Sequence, residues 1–201
     1  MTAARKLMDN DEFLRWCETQ EDSYELVDGV PVLKYWNGPE MRAGGNARHA
    51  DVIGNIYAAL RTKLRGRPCR PYIGDHLAVR TEIRKERRPD VFVDCTGAEP
   101  TDLNSTTPTV LFEVLSPSSG GDDLIRKPAE YKRLATARHY VVIDPATPLA
   151  KVWSWGDDGV WSEGEVEGIE GAVELPAIGT ALTMAEIYEK VRLDPPRPAA
   201  F

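Results

Sequence analysis

"PTVLFEVLSP", residues 108–117, decides the architecture. Five apolar residues bounded by prolines read as a strand, yet the run carries a carboxylate, Glu113, at its centre. "RHYVVIDP", residues 138–145, is a second buried strand, ended by Asp144-Pro145. The 22 residues from Ser116 to Ala137, "SPSSGGDDLIRKPAEYKRLATA", begin as a polar loop and continue as a helix. Pro128 suits the first turn of that helix, and Tyr131 and Leu134 point inward. Strand, helix, strand is a parallel crossover. Upstream, "RRPDVFVDC", residues 87–95, is another apolar run, with Asp90 at its mouth directly after a proline.

The flanks extend this unit. "DNDEFLRWCETQ" reads as a short amphipathic helix capped by Asp9 or Asn10. "YELVDGVPVLKYW" is a hairpin turning at Asp28-Gly29. A Gly-rich loop, "NGPEMRAGGN", leads to Asn46 as the cap of a long helix, "ARHADVIGNIYAALRTKLRG". Val52, Ile53, Ile56, Tyr57, Leu60 and Leu64 recur there at helical spacing, and Gly66 ends it. "RPYIGDHLAVRTEI" is extended, as two short strands. "AKVWSWGDDGVWSEGEV" is a hairpin whose Trp153, Trp155 and Trp161 cover the sheet, and Thr183 caps a terminal helix. The tail "DPPRPAAF" is expected to fray. The fold class is α/β (α+β): a central mixed sheet flanked by helices, with an N-terminal hairpin and a C-terminal hairpin. We expect a single domain over 1–201, with a core at about 24–155 and an extension at 156–201.

Composition narrows the function. Hydrophobic residues at 42% and charged residues at 28% describe an ordinary globular chain. No window approaches a membrane span and the N-terminus lacks a signal-peptide core, so a cytoplasmic protein without a membrane partner is expected. Cys17, Cys69 and Cys95 form no CxxC pair and read as reduced thiols. The net charge of −7 speaks against a nucleic-acid partner, but its distribution does not. Residues 41–89 hold twelve Lys/Arg against four Asp/Glu, whereas 139–201 hold four against eleven. A basic face around Arg61–Arg70 and Arg84–Arg88 is therefore expected to meet phosphates.

There is no phosphate loop, nucleophile elbow or HExxH motif. What remains is carboxylates on strands. An isolated buried carboxylate is costly and needs a partner. A divalent ion shared by Asp90 and Glu113 is one solution; an arginine tied to each is the other. Mg²⁺ or Mn²⁺ held by the two acids would suit phosphodiester hydrolysis, with Lys127 orienting the attacking water. Glu25 beside a hairpin turn otherwise reads as an exposed acid, and His49, one turn before Ile53, as a packing histidine.

"PDVFV", "VLFEVLSPSS", "DLIRKPAEYKRL" and "HYVVIDP", in that order, together with "YELVDGVPV", resemble the Uma-type restriction endonucleases of the PD-(D/E)XK nuclease superfamily. The likeness runs from about Tyr24 to Trp155. It implies a restriction-endonuclease-like core and metal-dependent cleavage of DNA, with RNA as a second candidate and a homodimer as the cutting form. It also implies that Asp90 and Glu113 are the metal-binding acids, Glu25 a third acid reaching the metal or its water, Lys127 the catalytic lysine, His49 an accessory histidine and Tyr131 a packing tyrosine. The superfamily's lysine two residues after the second acid is replaced here by Leu115, so Lys127 serves from the following helix. Pro128 biases Lys127 away from helical geometry, to the helix entrance. Two other functions fit the same residues: a catalytically silent nucleic-acid-binding or assembly module, and a hydrolase of smaller phosphodiesters.

Overall fold

A computed structural model describes residues 7–34, 47–116 and 121–194. The Gly-rich loop with Asn46, residues 117–120 and the tail from 195 lie outside the described residues.

Helix α1 (Asn10–Cys17) starts at Asp9, whose side chain accepts from the Glu12 amide while Glu12 answers the Asp9 amide, a reciprocal capping box. Strands β1 (Tyr24–Val27) and β2 (Val30–Leu33) pair antiparallel around Asp28-Gly29. Both turn residues have positive φ, 50° and 83°, as a two-residue turn matched to strand twist requires. Helix α2 (Ala47–Lys63) follows, then β3 (Arg70–Ile73), β4 (Ala78–Glu82), β5 (Lys85–Arg87), β6 (Val91–Asp94), β7 (Asn104–Ser105) and β8 (Pro108–Val114). A π-helical turn (Asp122–Arg126) leads into α3 (Lys127–Tyr131). The chain continues as β9 (His139–Asp144), β10 (Leu149–Trp155), β11 (Trp161–Glu167), β12 (Ala172–Leu175), β13 (Thr180–Thr183) and α4 (Met184–Ile187). Thr183 caps α4 with Glu186 as its capping-box partner.

The central sheet has the order β11-β10-β9-β8-β6-β3 and is mixed: β8 and β9 are parallel and the other pairs antiparallel. A second sheet, β2-β1-β5-β4-β7, packs beside it, and β12 and β13 form a hairpin. Alternation along the central strands sends side chains to two cores. Val91, Val93, Val110, Phe112 and Val114 meet Val52, Ile56 and Leu60 of α2 on one face. Phe92 and Leu111 meet Tyr131, Tyr140 and Trp153 on the other. Each fully buried side chain of this size contributes about 1.5–3 kcal/mol, so both faces are held firmly. Trp153 is buried and stacks on Tyr140, 5.3 Å between ring centres, while Trp155 stays partly exposed.

Two expectations are corrected. Cys69 and Cys95 form a disulfide, and only Cys17 is a free thiol. Arg70 pairs with Asp94 across β3 and β6, so the flanking cysteines fall opposite each other although 26 residues separate them. Register, which motif spacing does not reveal, made the pair, and the reading of all three cysteines as reduced thiols falls with it. Thiol titration of the unfolded, unreduced chain is expected to find one reactive group, rising to three after reduction. Three groups before reduction would refute the bridge.

The second correction concerns Lys127, which adopts helical backbone angles, φ −60° and ψ −40°, despite the following proline. The π-turn explains this. Proline's ring crowds the carbonyl four residues back, and widening the preceding turn makes room for it. The Lys127 amide accordingly bonds back to the Asp122 carbonyl. No helix among the described residues is long and apolar enough to cross a membrane.

Candidate active site

Strand register builds the site. Val91 pairs with Phe112 and Phe92 with Leu111. One step further along that ladder, Asp90 lies opposite Glu113, on the face shared with Phe92 and Leu111. The Val114 amide donates to Asp90 Oδ2 at 2.7 Å. Gly74 lets β3 end against this point, because a Cβ there would collide with the Pro89 carbonyl. In the second sheet Leu26 pairs with Glu86, so Glu25 falls opposite Arg87. Helix α3 then brings Lys127 down onto Glu113 and Glu25.

Glu25, Asp90, Glu113 and Lys127, with His49 and Lys34, line one cavity of about 230 Å³. The Lys127 ammonium stands 2.8 Å from Glu113 Oε1, 2.9 Å from Asp123 Oδ1 and 3.7 Å from Glu25 Oε1. Tyr131 hydroxyl donates to Glu113 Oε1 at 3.2 Å, so it packs and binds at once. Among the described residues nothing bonds Glu113 Oε2. His49 Nε2 lies 3.0 Å from the Val114 carbonyl and 3.6 Å from Asp90 Oδ2. Both Glu25 oxygens are engaged, Oε2 by Arg87 at 2.8 Å and Oε1 by the Arg88 amide at 2.9 Å.

Three residues escaped sequence reasoning. Lys34 bridges Asp90 and Asp75 at 3.0 and 3.1 Å; nothing in "VPVLKYW" marks it. Asp123 stands one turn before Lys127, an i, i+4 spacing that local reading could have paired. Arg87 was expected at phosphates but is buried, holding Glu25, Asp122 and, through two bonds, Glu130. Arg88 is likewise spent on the carbonyls of Tyr24, Gly74 and Asp75. The Arg84–Arg88 half of the expected basic face is therefore internal at these two positions.

Burial pushes every carboxyl here upward, and the neighbours decide the outcome. For Asp90 the Lys34 and His49 side chains and the Val114 amide win and hold it below the usual range. For Glu113 burial, reinforced by Asp123 and Asp90, outweighs Lys127 and drives it well up. Lys127 is also pushed up, because its three carboxylates outweigh its desolvation, so it stays charged.

In Glu25, burial is overcome by Lys127, Arg87 and the Arg88 amide, which lower it from 4.5 to about 2. A folded value below the unfolded one gives stability that is complete above about pH 4.5 and lost as pH falls toward 2. Glu113 works in the opposite sense, losing stability as pH rises. Glu25→Gln is expected to cost about 3 kcal/mol near neutrality, narrowing to less than half by about pH 3. Urea midpoints of the two proteins check this; a gap independent of pH would refute it.

Among the described residues no three His, Cys, Asp or Glu side chains converge as a ready ligand cage. Magnesium does not need one, since one or two carboxylates with waters and substrate phosphates suffice. The donor set fits a hard divalent cation: two facing carboxylates, one with an open oxygen, in a place where burial, reinforced by Asp123 and Asp90, keeps Glu113 up.

The mixed sheet, its α3 crossover and the acid–lysine cavity at the strand ends define the restriction-endonuclease-like class of protein. A family model for Uma2, described as "Putative restriction endonuclease", matches residues 10–185, and the chain belongs to that family. Two Synechocystis proteins are similar over most of their length. "Uncharacterized protein slr1290" is 26% identical over 89% of this chain and 90% of its own. "Uncharacterized protein sll1609" is 24% identical over 87% and 96%. A crystal structure of a "putative nuclease belonging to DUF820" from Anabaena variabilis superposes with a TM-score of 0.69. It covers 90% of this chain and 97% of its own at 16% identity, a likeness of fold.

Proposed function

We propose that the chain is a metal-dependent endonuclease that hydrolyses phosphodiester bonds in DNA. The observation that carries this is the facing pair Asp90 and Glu113, with the Lys127 ammonium against Glu113. Asp90 and Glu113 would hold Mg²⁺ or Mn²⁺. Once bound, the ion would acidify water and stabilise charge developing on the phosphate. Lys127, kept protonated by three carboxylates, acts as a hydrogen-bond donor that orients water or the phosphate oxygen; it is not a base. Glu25 positions Lys127 and Arg87. His49 steadies the Val114 carbonyl at the end of β8, beside the Val114 amide that holds Asp90. Lys34 neutralises Asp90 before a cation arrives. Cutting both strands would take two copies, and a cytoplasmic location goes with a DNA substrate.

The test is supercoiled plasmid with Mg²⁺ or Mn²⁺, wild type beside Asp90→Asn, with a structured RNA as a second arm. Equal nicking by both proteins sinks the proposal. A silent binding or assembly module on the same fold is the second reading, because ammonium groups already occupy Asp90 and Glu113. Absence of any Mn²⁺-dependent heat or thermal shift in the folded protein would favour that module.

A further inference from the structure

At the far end of α2 lies a hollow of about 540 Å³. Arg61, Arg65, Arg67 and Arg70 line it, and no carboxylate does. Arg67 is built in: its guanidinium donates to the carbonyls of Ile178 and Gly179 at 3.0 and 2.9 Å, which ties the hollow to the turn before β13. The side chains of Arg61, Arg65 and Arg70 make no ion pair or hydrogen bond with another described residue. Several exposed cations elsewhere are paired, although the side chains of Arg15, Arg84 and Arg192 are not paired among the described residues. Arg48 meets Asp194, Lys63 meets Glu186, Arg133 meets Glu82 and Lys151 meets Glu163. The chain has acid to spare, at net −7, yet no described acid serves this cluster as a counter-anion. A helix C-terminus favours cations, which explains their placement and not their lack of partners.

We propose that this hollow docks the phosphate backbone of duplex DNA, away from the cleavage cavity. The choice of DNA as the anion rests on the nuclease reading; the presence of an anion site does not. Arg61 lies twelve residues beyond His49 on one helix, about 18 Å at 1.5 Å per residue. That rise equals about five base pairs of duplex at 3.4 Å each. Backbone contacts at such a distance hold register and carry no sequence information. With Arg87 and Arg88 consumed internally, this is where the basic stretch of the sequence remains available.

The experiment is anisotropy of a labelled duplex of about 20 base pairs on the full chain, without divalent metal, between about 50 and 200 mM salt. Arg61→Gln/Arg65→Gln/Arg70→Gln is expected to bind more weakly and to flatten the plot of log affinity against log salt by about 2.7, at 0.9 per lost phosphate contact. Lys151→Gln, at a cation outside the hollow that is already paired with Glu163, is expected to keep the wild-type slope. These arginines are exposed, so the triple variant keeps its melting temperature. Equal slopes in wild type and triple variant overturn the proposal, as does a wild type that binds no duplex. Inorganic phosphate displacing DNA at equal phosphate concentration would overturn it in favour of a small-anion site. An altered slope with no nicking by the wild type sinks the nuclease reading and leaves the docking site standing.

Discussion

Arg87→Ala is expected to destabilise the protein by about 3–5 kcal/mol, the magnitude for breaking a buried ion network by removing one partner. Arg87 is 1% exposed and is among the largest fully buried side chains. It gives two 2.7 Å bonds to Glu130, one of 2.8 Å to Glu25 and one of 3.1 Å to Asp122. Alanine would leave Glu25 and Glu130, both buried, without this counter-charge, and Lys127 at 3.7 Å from Glu25 replaces little of it. Arg87→Lys is expected to recover only part of the loss, since an ammonium cannot serve Glu130 through two parallel bonds and Glu25 at once. Urea unfolding measures both. A cost below about 1 kcal/mol for alanine would mean that the network behaves as a surface pair. Because Glu25 and Lys127 belong to the same network, the variant also loosens the cavity it supports.

Asp90→Asn has the largest expected effect on activity. Asparagine keeps the shape and leaves an oxygen for the Val114 amide, so the fold survives, but the charge that faces Glu113 is gone. Losing a cation worth several kcal/mol of transition-state stabilisation lowers nicking by on the order of 10³, at 1.36 kcal/mol per tenfold. Calorimetric titration with Mn²⁺ should show weaker binding in the variant. In wild type the binding should strengthen as pH rises, because burial, reinforced by Asp123 and Asp90, favours the protonated form of Glu113 and ligation needs its carboxylate. A variant that nicks as fast as wild type, or a Mn²⁺ affinity indifferent to both pH and the substitution, would remove Asp90 from the site.

Much of the architecture was legible in the sequence because its signals are local. The apolar runs around Asp90 and Glu113, the Asp28-Gly29 turn, the helical stripe of Val52, Ile56 and Leu60, and the caps Asp9 and Thr183 each need only a few neighbouring residues. The candidate acids stood out for the same reason: a carboxylate inside an apolar strand breaks its own pattern. Lys127 was named as a lysine near the second acid and strengthened by resemblance, but local reasoning about Pro128 misjudged its backbone, since the compensating π-turn depends on where α3 must sit. Lys34 carried no signal. Its partners Asp75 and Asp90 lie 41 and 56 residues away.

By itself, then, the sequence determined the elements, their order, the parallel crossover and two strand carboxylates in need of compensation, because propensity, period and turn chemistry act over a few residues. The tertiary structure alone decided that Asp90 faces Glu113, that Cys69 meets Cys95, and that Arg87 and Arg88 turn inward while Arg61, Arg65 and Arg70 meet no carboxylate among the described residues. Those outcomes depend on strand register, where a shift of one residue sends every side chain to the opposite face.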